Sequence, residues 1–163
     1  MFFKKQEIVW VLLRIGMGWI FLWAFFDKLF GLGFGTASDQ SWLDGVSPTA
    51  GFLKFGTHGP FAGIFQSLTS NFFVEWLFMV GLLLIGLSLI LGIGMKIASY
   101  SGSLLLFLMW LATFPPKNNP IIDQHLVYIC VLIVLTQNSS SKKFSLDKWW
   151  GRQKIVQKFS VLR

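Results

Sequence analysis

IVWVLLRIGMGWIFLWAFFDKLF, residues 8–30, is almost entirely apolar. As a helix its 23 residues rise about 34 Å, enough to cross a hydrocarbon core of about 30 Å with some tilt. Arg14 interrupts it about two turns in, and Asp27 and Lys28 sit in its last turn. On insertion scales an Arg at a helix centre costs about 2.5–3.5 kcal/mol, while each Leu, Ile, Phe or Val returns about 0.3–0.6. The surrounding apolar residues offset that burden. Arg14 and Lys28 are 14 residues apart, which at 100° per residue places them within roughly 40° on one face. Such a face looks toward protein or trapped water. The other reading is that both side chains snorkel to the two interfaces.

Working outward, the composition fits the same class. Of 163 residues, 54% are hydrophobic and 17% aromatic, and the mean hydropathy is +0.63. The charged share, 13%, is about half the usual one, so this is an integral membrane protein with room for one bundle. A net charge of +7 would suggest nucleic acid in a soluble domain, but here seven of the 14 Lys and Arg lie in the C-terminal tail: Lys142, Lys143, Lys148, Arg152, Lys154, Lys158 and Arg163. A juxtamembrane cluster of this kind reads as a topology signal and a lipid-headgroup contact, with no nucleic acid involved. Cys130 is the single cysteine, which rules out an intramolecular disulfide. Lys4 and Lys5 precede the first apolar run as in a signal peptide, but the run is too long, Arg14 breaks it and no A-x-A site follows, so it is expected to remain.

Three further apolar stretches follow. Phe72–Gly94 carries Glu75 in its first turn and Gly86 eleven residues on, within roughly 20° of the same face, so the charged face is also a close-packing face. Ile97–Phe114 carries Ser99, Gly102 and Ser103 as a small-residue stripe that Leu106 and Trp110 extend. Pro115, Pro116 and Pro120 punctuate FPPKNNPIIDQH before a short fourth span, about Ile121–Gln137, with Asp123 and His125 at its first turn. Residues 31–71 are too long and too rich in Phe for a simple connector. Ser47-Pro48 reads as a cap and first turn and Pro60 as a second helix start, followed by Phe61, Ile64, Phe65 and Leu68 on one apolar face. Two short interfacial helices are expected there. The sequence thus predicts an all-α protein. Residues 1–150 form a transmembrane four-helix bundle, and residues 151–163 a basic amphipathic tail in which Ile155, Phe159 and Leu162 make an apolar stripe. The cations at both ends, with Lys96 in the second connection, predict a multi-pass cell-membrane protein with both termini cytoplasmic.

That topology puts Asp27, Lys28, Glu75, Asp123 and His125 at one depth near the outer face. Of each close pair, the adjacent Asp27 and Lys28 and, two apart, Asp123 and His125, one member is expected to join the interior. Such a cluster reads as a polar pocket that relays protons or binds a polar headgroup; a salt-bridge network that fixes packing is the alternative. Lys28, Glu75 and His125 are the candidate catalytic set. Arg14, Trp23, Trp110 and Asp123 are candidates to bind a cofactor, with Trp76 at similar depth. Other signals are weaker. Gly31, Gly33 and Gly35 follow no strand, so a dinucleotide loop is not indicated. His58 is either a solvated turn residue or a ligand. Cys130 reads as a small packing residue. The sequence carries no metal-ligand spacing and no haem or flavin signature.

Four segments carry a family resemblance: LRIGMGWIFLWAFFDKLFG, SWLDGVSPTAGFLKFGTHGPF, the Glu75 span ending LILGIGMK, and FPPKNNPIIDQHLVY. Over about residues 8–150 the chain is similar to the DoxX/DoxD family of small four-span membrane proteins, and to its DoxD type, which serves as the membrane subunit of thiosulfate:quinone oxidoreductase. The resemblance implies electron transfer from thiosulfate to a membrane quinone, giving tetrathionate, together with a second redox subunit. It brings no assigned catalytic set. A non-enzymatic membrane scaffold or a small-solute transport module stands as the alternative. The partners named by these readings are the lipid bilayer, a second redox subunit and further copies of the chain.

Overall fold

A computed structural model describes residues 5–159. Lys4, Leu162 and Arg163, named above, lie outside the described residues. The described chain is helical with no strand: α1 (Lys5–Phe30), α2 (Ala62–Gln66), α3 (Phe72–Leu91), α4 (Met95–Ala112), α5 (Gln124–Gln137), α6 (Asp147–Trp150) and α7 (Lys154–Lys158). α1, α3 and α4 are long and apolar enough to cross a membrane, and α5 is a shorter apolar helix. The fourth apolar stretch therefore begins later than its sequence suggests. Asn119 explains part of the delay: its Oδ1 accepts from the N–H groups of Ile121 and Ile122, each at 2.9 Å, and holds them in a turn.

α1 packs on α3, α3 on α4, α4 on α5, and α1 also touches α5. Met17, Phe21, Met79, Leu82, Ile85, Leu89, Leu106, Leu132 and Leu135 are among the buried core residues between them. α1 and α3 approach each other closely. A Cβ on Gly86 would meet Leu22 N at 2.9 Å and Gly18 O at 3.0 Å, and one on Gly18 would meet Gly86 O at 3.0 Å. Only glycine lets two backbones come this near. The close-packing role read for Gly86 holds; its partner Gly18 was not singled out.

Gly102 fixes the register. A Cβ there would meet Leu132 at 3.0 Å, Ile85 at 3.3 Å and Phe21 at 3.4 Å, so the four residues mark one cross-section. Toward the C-terminal tail, α3, α4 and α5 have six, seven and five residues left, about 8–11 Å of helix, but α1 has 16, about 24 Å. The first third of α1 thus projects beyond the other three helices. The apolar run that reads as one span in sequence is divided near Arg14 by where its neighbours stop.

At the opposite end, the long loop lies over the helices. Ser47 Oγ accepts from Ala50 N at 3.1 Å, as its capping position predicts, and a π-helical turn follows at Phe52–Gly56. α2 begins two residues after Pro60. The loop closes the end of α1 through Trp42 N to Lys28 O at 2.9 Å and Leu43 N to Leu29 O at 3.3 Å. Trp42 also meets Trp76 of α3 edge-on at 4.8 Å.

Candidate functional site

The tail end is built around Arg14, which is fully buried. Its Nη2 donates to Phe144 O at 3.1 Å and, more weakly, to Lys143 O at 3.5 Å. The snorkelling reading is therefore overturned for Arg14. A guanidinium on a helix flank reaches these carbonyls because α3 stops beside it at Gly92, φ +66°, where a Cβ would lie 2.1 Å from Arg14 Nη1. Leu146 N donates to Leu91 O at 2.9 Å, and Lys143 Nζ pairs with Glu7 at 2.5 Å, so the segment after α5 is fastened to both α1 and α3. Arg14 Nε and Nη1 have no hydrogen-bond partner.

The loop end carries the other ionisable residues. Measured along the helices from the Gly102 cross-section, Lys28 and His125 each lie seven residues out, about 10 Å, and Glu75 lies ten residues out, about 15 Å. The shared depth read from the sequence holds for Lys28 and His125, with Glu75 about one turn beyond. Their bonding differs. Lys28 Nζ sits 5.9 Å from the centre of the Phe78 ring. His125 Nδ1 meets Asp123 Oδ2 at 2.6 Å, with the two side chains 14% and 18% exposed. Glu75 is half-buried in the first turn of α3. Among the described residues no hydrogen bond or ion pair joins Lys28, Glu75 and His125 to one another.

Of the two pairs, one separates as expected and the other does not. Asp27 is the member of its pair that turns inward; it is buried, and its two oxygens accept from Phe34 N at 3.1 Å and Gly35 N at 2.8 Å. The glycine-rich stretch thus wraps a carboxylate instead of a phosphate. Asp123 and His125, expected to diverge, converge. Asp123 is the N-cap of α5 with extended backbone, and its Oδ1 accepts from His125 N at 2.9 Å. Helical spacing does not apply across a cap, whose side chain folds back over the first turn.

A groove of about 400 Å³ opens beside this pair, lined by His58, Thr113, Lys117, Asn118, Asn119 and Asp123 among others. His58 ties its two banks together: its backbone N–H donates to Ala112 O at 3.2 Å and its Nε2 lies 3.0 Å from Pro115 O. Trp110 does similar work, donating from Nε1 to Ile121 O at 2.8 Å while its ring lies 5.7 Å from Phe107. Trp23 meets Phe34 of the loop edge-on at 5.0 Å. Lys117, Asn118 and Asn119 were not singled out from the sequence; the run KNN between prolines was the available signal. Cys130 is exposed on α5, not packed inside. Among the described residues no three His, Cys, Asp or Glu side chains gather where they could hold a metal ion.

Asp123 both lines the groove and orients His125. With Nδ1–H donated to the carboxylate, Nε2 is left to take up or release a proton. Comparison with protein families, curated proteins and solved structures finds no match to this chain.

Proposed function

We propose that the chain is the membrane subunit of a quinone-linked redox system, with thiosulfate:quinone oxidoreductase as its type. In this reading α5 completes a four-helix transmembrane bundle, the tail end is cytoplasmic and the loop end faces outward. The observation that carries it is the Asp123–His125 contact, whose Asp123 lines the groove. A carboxylate that orients an imidazole at the edge of a hydrophobic bundle is a proton-handling unit.

The groove suits a quinone headgroup in size, since small-molecule sites run about 300–1,000 Å³. It suits one in donors as well. Asn119 uses Oδ1 on the turn, which leaves its Nδ2 to donate, beside Asn118 and Lys117. Ile122 and Pro116 supply apolar wall. A bound quinone would supply the two-electron chemistry, fed by the second subunit. The chain's own residues orient the headgroup and hold the exchangeable proton at His125 Nε2, with Asp123 fixing the ring.

The test is thiosulfate-dependent quinone reduction in membranes that hold the chain with its partner subunit. His125→Ala and Asp123→Asn are each expected to lower turnover by about 10²-fold or more at unchanged protein level. Unchanged turnover in both moves the reading to a non-enzymatic scaffold. That second reading draws on the engagement of His58, Trp110 and Lys28 in packing and tying contacts.

A further inference from the structure

The projecting third of α1 and the tail make a second surface that the redox reading does not use. Along Lys5–Leu13, Ile8, Val9 and Leu12 are 46%, 60% and 62% exposed. No other long helix runs alongside at that level, since α3, α4 and α5 have ended. The tail is held at the same level. Ser139–Lys142 packs on α1, Glu7 pairs with Lys143, and Arg14 holds the carbonyls of Lys143 and Phe144. Val156 is fully buried, so α7 is folded against the rest of the chain and does not hang free.

This fixed surface mixes apolar and cationic groups. Residues 139–159 hold six cations against one acid, Asp147, which pairs with Lys142 at 3.5 Å. Lys148, Arg152 and Lys154 are exposed, and among the described residues no acidic side chain pairs with them. Between them Trp149 and Ile155 are 56% and 59% exposed. Exposed apolar side chains need a non-aqueous cover, and unpaired cations beside them need anions. One phase offers both at this level of a membrane protein: the headgroup and upper acyl region of a leaflet rich in anionic phospholipid.

We propose that the α1 projection and the α6–α7 tail form a rigid platform that binds anionic phospholipid headgroups of the leaflet at the tail end, through Lys148, Arg152 and Lys154. The platform differs from a free polybasic arm in being locked to the bundle by Arg14, so it orders lipid beside the helices.

The full chain is reconstituted in nanodiscs of phosphatidylcholine alone or with phosphatidylglycerol, and amide exchange is read over residues 142–159. Phosphatidylglycerol should slow exchange there, and 0.5 M salt should reverse the effect. With each cation near an anionic surface contributing its usual share, the triple variant Lys148→Gln, Arg152→Gln, Lys154→Gln should remove on the order of a hundredfold of that protection. Unchanged exchange in α3 and α4 would show that the variant is folded. Equal tail protection in both lipids overturns the proposal. Protection that follows the number of chains per disc and not the lipid also overturns it, and assigns the surface to a second copy.

Discussion

The two ends of the helix bundle use the same kind of residue in opposite ways. At the tail end Arg14 is fully buried and bonded to backbone carbonyls, with packing on every side. At the loop end Asp123, which lines an open groove, is bonded to His125. A guanidinium cannot lose its charge under ordinary conditions, and this one spends Nη2 on two tail carbonyls, so it acts as a lock between α1 and the tail. An imidazole that shares one nitrogen with a carboxylate keeps the other for exchange, which is what the proposed relay requires. Charge on an apolar helix is thus no sign of function by itself. What its neighbours leave available is the deciding point.

Replacing the lock should have the largest effect. Arg14→Leu leaves the Lys143 and Phe144 carbonyls without their donor, a loss of about 2–3 kcal/mol. Trypsin cleavage after Lys142, Lys143 and Lys148 should accelerate by on the order of a hundredfold, provided that the tail opens faster than it is cut. A tail that stays resistant would show that Arg14 is not what holds it.

Gly92→Ala attacks the same lock from the other side. Its Cβ would lie 2.1 Å from Arg14 Nη1 and 2.3 Å from Ser145 Cβ, on a backbone at φ +66°. Strain and displacement together should cost about 2 kcal/mol, read as a lower unfolding temperature and a looser tail. In the double variant with Arg14→Leu the two effects should fall short of their sum, because they share one contact. Full additivity would separate them.

At the relay, Asp123→Asn is the sharper change. Asparagine caps a helix about as well as aspartate, so α5 should keep its stability within about 0.5 kcal/mol. The carboxylate charge that faces His125 Nδ1 is lost, and turnover alone should fall. A comparable loss of both turnover and stability would make Asp123 structural, like Arg14. The smallest effect is expected at Glu75→Gln. Among the described residues Glu75 makes no side-chain hydrogen bond or ion pair, so stability should change by less than about 0.5 kcal/mol. A large loss of turnover there would extend the relay one turn outward through water.

How much of this was legible in advance differs by residue. The apolar runs reported the long helices, because hydropathy and length are local properties. Ser47 reported its cap, and Gly86 its close contact, because both roles follow from side-chain size and nearest neighbours in sequence. The shared depth of Lys28 and His125 followed from counting turns in antiparallel helices.

The sequence by itself determined that this chain is helical, carries membrane-length apolar helices, and concentrates positive charge after the last one. Tertiary structure alone decided that α1 outruns its neighbours, that Asp27 faces the Phe34–Gly35 amides, and that His58 joins the loop to the turn after α4. It alone paired Arg14 with carbonyls 129 and 130 residues away. The physical reason is the same in each case. Periodicity fixes which face of a helix a residue occupies, but what meets that face depends on where neighbouring helices stop and how connections fold over their ends. Those features are set by Gly18 against Gly86, Gly102 against three helices, and the late start of α5, contacts that no local pattern encodes.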